Sequence, residues 1–153
     1  KCTVKVAEIL DNAIEVAAYN WNEQGPLLKH SVTPSELTVS ADRDMIEQVL
    51  INLLKNAEQA LADTPGARVE LSGKLNKRGH VVIEIEDNGP GIPEEQRGSV
   101  LERGHRLDES IAGYGQGLGI VKDIAELYGG EVRLGRSLLG GLRVDLILPA
   151  ATT

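Results

Sequence analysis

Apolar residues alternate along Thr3 to Val6 and then switch to helical spacing from Ala7 to about Gln24, where Ile9, Leu10, Ala13, Ile14, Val16 and Ala17 form one stripe. Gly25-Pro26 ends that helix. Leu27 to Val32 and Leu37 to Ser40 read as two short strands joined by a turn at Pro34. Asp42 is placed to cap a long helix reaching about Ala62, before the breaker run Asp63-Thr64-Pro65-Gly66. Arg68 to Leu75 and Val81 to Glu86 predict a strand pair around Asn76 to Gly79. A last helix, Leu118 to Tyr128, is closed by Gly129-Gly130. A hairpin of Glu131 to Arg136 and Leu142 to Leu148 then turns at Gly140-Gly141. The pattern predicts one domain of α/β class, a two-layer sandwich of a mixed sheet of about five or more strands with three helices on one face.

Asp87 to Gly119 does not fit this alternation. It holds Pro90, Pro93 and eight glycines, too long and polar for an ordinary connection, so a functional loop is expected there. Composition adds limits. With 153 residues, 41% hydrophobic and 25% charged, the chain suits one domain of ordinary make-up. There is no Phe, so the core must be built from Leu, Ile and Val. A net charge of −7 argues against nucleic acid or an anionic membrane surface as partner. The single Cys2 allows no internal disulfide and no cysteine metal site, which makes a reducing cytoplasm the expected setting. No apolar run nears the roughly 20 residues of a membrane span.

Three segments carry candidate chemistry. In the long helix, Ile46, Val49, Leu50, Leu53, Leu54, Ala57, Ala60 and Leu61 fill the core arc, and Asn52 and Asn56 stack one turn apart at its border. Their amide oxygens could ligate Mg²⁺ or meet phosphates. On spacing alone the simpler reading, two partly exposed polar residues, is preferred. Glu86-Asp87-Asn88-Gly89-Pro90-Gly91-Ile92-Pro93 follows a strand. An Asp there can accept from an exocyclic amine while the glycines admit a flat ligand, though alone it also reads as a turn. Gly113-Tyr114-Gly115-Gln116-Gly117-Leu118-Gly119 runs straight into a helix. Glycine at every other position exposes successive N–H groups at a helix N-terminus, and here phosphate binding is the preferred reading. It is neither a Walker A loop nor a dinucleotide fingerprint.

In this order and at these separations, the three segments resemble the N, G1 and G2 boxes of the GHKL ATP-binding superfamily (HATPase_c), specifically its histidine-kinase branch. The resemblance covers nearly the whole chain, from Ala7 to Pro149. It implies ATP held with Mg²⁺, the metal on Asn56 and Gln116 and the phosphates beside Asn52. It also implies adenine on Asp87, a base pocket lined by Gly89 and Gly91, phosphates cradled by Gly115, Gln116, Gly117, Leu118 and Gly119, and further nucleotide contacts from Ile92 and Tyr114. A mobile lid from about Pro93 to Tyr114 would bring Arg106, and also Arg103, to the γ-phosphate. The sequence departs from the family at Gln59 and Ala60, where Lys and an aromatic residue are frequent, and at Leu101 and Leu142.

The branch follows from one position. Hydrolytic relatives and the anti-sigma serine kinases carry a Glu four residues before the metal Asn, and Asn52 stands there instead. Without that general base the acceptor must already be nucleophilic, as imidazole is. None of His30, His80 and His105 lies in a phosphoacceptor context. The resemblance therefore implies a protein-histidine kinase of two-component signalling whose acceptor histidine sits on a separate dimerisation domain and whose further partner is a response regulator. The domain itself would lie in the cytoplasm with no membrane contact. The rival readings are a degenerate nucleotide-sensing or adaptor module and a GHKL-type ATPase.

Overall fold

The computed structural model describes residues 2–19, 26–92, 94–95 and 118–149. Among them are seven strands and three long helices: β1 (Cys2–Lys5), α1 (Val6–Ala17), β2 (Leu27–Thr33), β3 (Thr38–Ala41), α2 (Arg43–Ala60), β4 (Arg68–Leu75), β5 (His80–Asp87), α3 (Leu118–Leu127), β6 (Glu131–Arg136) and β7 (Leu142–Pro149). Five strands form a mixed sheet in the order β2-β4-β5-β7-β6, with β2 and β4 parallel and the other pairs antiparallel. β1 and β3 form a separate antiparallel pair.

The expected α/β sandwich is found, with one correction. β2 and β3 are not neighbours: β2 joins the main sheet beside β4, whereas β3 pairs with β1. A four-residue strand and a seven-residue strand flanking Pro34 look like a local pair, but their partners are distant in sequence and leave no local signature. Helix α1 is also shorter than the expected span to about Gln24: it ends with its apolar stripe at Ala17, the Ala18 N–H bonded to the Ile14 carbonyl at 2.8 Å. Its start has no side-chain cap; the Val6 N–H instead donates to the Leu37 carbonyl at 2.9 Å, which ties α1 to the segment entering β3.

The core lies between the helices and one face of the sheet. Alternation puts Val69 and Leu71 of β4, Ile83 and Ile85 of β5, and Val144, Leu146 and Leu148 of β7 on that face, and the register aligns Ile83 with Leu146 and Ile85 with Val144. Ile46, Val49, Leu50, Leu53 and Leu54 of α2 cover them. Truncating a buried leucine such as Leu50 to alanine costs about 2–5 kcal/mol in cores of this kind. Aliphatic residues thus do the work of the missing Phe. The opposite face is polar, with Lys74 paired to Glu84 at 3.0 Å and Arg143 to Asp145 at 3.4 Å.

Candidate functional site

Helix α2 presents the first site residues. Asp42 caps it, its Oδ1 accepting from the Asp44 N–H at 3.0 Å, so the helix starts at a fixed position and its residues hold their phase toward the sheet. Asn56 is 8% exposed, buried between Leu53 and Ala57 on the sheet-facing side. Asn52, one turn earlier, is half-buried, and its Oδ1 accepts from Gln48 Nε2 at 3.3 Å. The simpler reading of the pair therefore fails for Asn56, which is inside.

The second group comes from the end of β5. Asp87 is 2% exposed. Its Oδ1 accepts from the Gly89 N–H at 2.9 Å and the Leu142 N–H at 3.2 Å, and its carbonyl accepts from the Gly141 N–H at 3.0 Å. The carboxylate is thereby aimed by the start of β7 and by its own loop. Asn88 anchors that loop: its Oδ1 accepts from the Arg68 N–H at 2.8 Å, and its Nδ2 donates to the Gly66 carbonyl at 2.9 Å. Gly91 has φ +74°, which glycine adopts without strain, and Ile92 is buried at 3% exposure.

Gly141 makes this packing possible. A Cβ there would collide with Asp87 Oδ1, lie 2.5 Å from the Gly89 nitrogen and 2.6 Å from the Asp87 carbonyl oxygen. The sequence marks Gly140-Gly141 only as a hairpin turn, and nothing local distinguishes the turn glycine, Gly140 at φ +109°, from the contact glycine. Ser137 was missed too: it is buried, donates to Glu86 Oε1 at 2.9 Å and accepts from the Leu139 N–H at 2.9 Å, which fixes the hairpin beside Asp87.

The two groups meet. A cavity of about 10 Å³, room for a single water, is lined by Leu53, Asn56, Ala57, Ile85, Asp87, Leu142 and Val144. Asn56 Nδ2 is buried without a hydrogen-bond partner. An unsatisfied amide in such a place costs about 1–3 kcal/mol, which a bound polar ligand would offset. A half-turn of the same amide presents its oxygen instead, the donor a hard cation requires, so the residue present fits Mg²⁺ as well as phosphate. Of the family's variable positions, Gln59 is exposed, whereas Ala60 is buried in the core.

The remaining expected site residues are not brought into this picture. Arg103, Arg106, Tyr114, Gly115, Gln116 and Gly117 lie outside the described residues, as does the lid from Pro93 to Tyr114 apart from Glu94 and Glu95. Leu118 and Gly119 open α3, consistent in backbone with a loop that runs straight into a helix.

A helix-backed mixed sheet thus carries a buried Asn and a buried Asp on one cavity, in an α/β fold. The chain belongs to the family of histidine kinase-, DNA gyrase B- and HSP90-like ATPases, whose model matches residues 41–152. Within that family it is the ATP-binding catalytic domain of the sensor histidine kinases. It is 45% identical over 126 residues to the sensor protein kinase CarS of Pseudomonas aeruginosa, a match covering 82% of this chain and 27% of CarS. It is 34% identical over 142 residues to the virulence sensor histidine kinase PhoQ of Salmonella typhimurium, covering 93% of this chain and 28% of PhoQ. Among solved structures, the mycobacterial sensor histidine kinase MprB matches with a TM-score of 0.81 at 29% identity over 99% of both chains. The chain thus spans little more than a quarter of the length of the two sensor proteins. No helix among the described residues is long and apolar enough to cross a membrane.

Proposed function

We propose that this domain holds Mg²⁺-ATP and directs its γ-phosphoryl group to a histidine on a separate dimerisation domain, from which a response regulator is then served. The observation that supports this most is the pairing, on one cavity, of the Asn56 amide with its unsatisfied nitrogen and the Asp87 carboxylate aimed by two backbone N–H groups. Asp87 would accept from the adenine amine, with Gly89, Gly91 and Ile92 around the base. Asn56 and Gln116 would hold Mg²⁺, which neutralises phosphate charge when bound. Asn52 and the backbone of Gly115 to Gly119 would meet the phosphates, with Arg103 and Arg106 reaching from the lid.

Asn52 is what favours transfer over hydrolysis. Its amide oxygen takes no proton at neutral pH, so the helix offers water no general base, a loss worth on the order of 10²–10⁴ in rate. An imidazole acceptor needs only positioning and charge neutralisation. Within a longer sensor protein such an ATP-using domain would lie on the cytosolic side.

The test is transfer. The domain alone should neither label itself from ATP nor hydrolyse it appreciably, and addition of a cognate dimerisation domain should give an acid-labile, alkali-stable phosphoramidate. ATP binding with no transfer to any cognate acceptor overturns the kinase reading in favour of a nucleotide-sensing module, as the small Ala60 and uncharged Gln59 would suit. Brisk hydrolysis by the domain alone overturns it in favour of an ATPase.

A further inference from the structure

A second and much larger concavity lies at the other end of the sheet. Asp87 ends β5 and Leu142 begins β7 at the nucleotide cavity, whereas this cleft is built where β5 begins and β7 ends. Eight strand residues separate the two, roughly 24 Å at about 3.4 Å per step. The cleft has a volume of about 430 Å³ and runs between the Asn76 to Gly79 turn and the junction of α3 with β6.

Its chemistry is sharply unlike the rest of the chain. Lys77, Arg78 and Arg133 line it together with His80, in a protein whose net charge is −7. The one acid on its wall, Glu131, is occupied by Arg133 at 2.8 Å. Lys77 and Arg78 are exposed on the turn, and neither has an acidic partner among the described residues. The turn that carries them is held rigidly: Asn76 Oδ1 accepts from the Arg78 N–H at 2.9 Å and the His80 N–H at 3.0 Å. Helix α3 ends at this cleft, and its C-terminal carbonyls would repel an anion if left open. They are not all open, because the Gly129 N–H takes the Glu126 carbonyl at 3.0 Å and the Gly130 N–H takes the Ala125 carbonyl at 2.8 Å. Ile147 and Pro149, on the sheet face opposite to the core, add apolar surface to its lining.

Apolar surface with a charged rim, open to solvent, is the anatomy of a protein–protein contact. We propose that this cleft docks a polypeptide segment in which carboxylate side chains flank an apolar residue, the apolar side chain resting on Ile147 and Pro149 and the carboxylates meeting Lys77 and Arg78. Charge complementarity selects such a partner, since elsewhere this acidic surface repels it. Occupation leaves the nucleotide end open, so the two sites can be filled together.

The experiment titrates the 153-residue chain with the synthetic peptide acetyl-Asp-Glu-Leu-Asp-Glu-amide and follows backbone amides by two-dimensional NMR. Shifts should cluster at Gly79, Gly129, Gly130 and the end of β7, spare Asp87 and Gly89, and weaken as salt is raised. Lys77→Glu with Arg78→Glu, on an exposed turn, should reduce affinity roughly tenfold or more while ATP binding is retained. The Asn-Gln-Leu-Asn-Gln counterpart binding equally well would overturn the proposal, as would shifts centred elsewhere or none at millimolar peptide. Glutarate or citrate binding as tightly as the peptide at equal carboxylate concentration would overturn the assignment to a polypeptide. Failure of the phosphotransfer reading leaves the peptide titrations untouched, because they use no nucleotide.

Discussion

Asn56 and Gly141 show how differently two site residues are written in a sequence. Asn56 stands out because an amide inside an apolar arc is unusual, yet its spacing with Asn52 does not reveal that one is buried and the other half-exposed. That is settled by Ile85 and Val144 of the sheet, which close over Asn56 but not over its neighbour. Asn56→Ala should weaken Mg²⁺-ATP by roughly 10–100-fold, the range in which metal sites respond to lost supporting groups, and metal-free ATP far less. Calorimetry with and without Mg²⁺ reads the difference, and equal losses would remove Asn56 from the metal. Gly141 carries no such mark, because its importance comes from contact with Asp87 fifty-four positions away. Gly141→Ala must move either Asp87 or the start of β7. It should cost about 1–3 kcal/mol of stability and lower ATP affinity by at least roughly tenfold, seen together in thermal melts and nucleotide titration. A variant with parental stability and affinity would show that the loop yields freely.

Elements were more legible than their partners. Capping residues, breakers and periodicity mark α2, the β4–β5 pair and the β6–β7 hairpin, since the information lies within each segment. The separation of β2 from β3 was not legible, because strand pairing is decided by which apolar faces reach the core. The outer face of the sheet shows another cost of pairing: register sets Glu84 directly opposite Asp145, and Arg143 approaches Asp145 at 3.4 Å with its Nε left without a hydrogen bond. Burial first, and Glu84 and Glu86 in part, raise the Asp145 carboxyl above the ordinary carboxylate range, against the lowering by Arg143 and Lys74. The folded chain then keeps a proton that the unfolded chain has released, so stability should fall as pH rises from the ordinary aspartate value through the raised one. Asp145→Asn should remove that slope and leave the melting temperature at neutral pH unchanged or higher. A fall of several degrees at neutral pH would mean that the Arg143 pair outweighs desolvation.

At the scale of the molecule, the proposed nucleotide residues Asn56 and Asp87 come from α2 and the end of β5, segments far apart in sequence and joined through the core. A ligand bridging them stabilises the folded state as a whole. ATP with Mg²⁺ at about 100 times its dissociation constant adds about 2.7 kcal/mol, a rise of about 5–10 °C in melting temperature for a chain of this size. GTP at the same concentration should give a clearly smaller shift, since its base offers a carbonyl where Asp87 requires an amine. Equal shifts would take base selection away from Asp87.

The pair β1 and β3 has a mechanical consequence. β1 passes into α1 with no intervening residue, and β3 is separated from α2 only by the capping residue Asp42. Cys2 lies opposite Ala41 and Lys5 opposite Thr38, so the four rungs are loaded in shear, all together, by any pull along β1. Tension on that strand cannot be absorbed by slack; it passes through Ala41 into the first turn of the helix whose fourth turn carries Asn56. Two short strands outside the main sheet thus form a direct route by which a displacement of β1 could reach the cavity of Asn56 and Asp87.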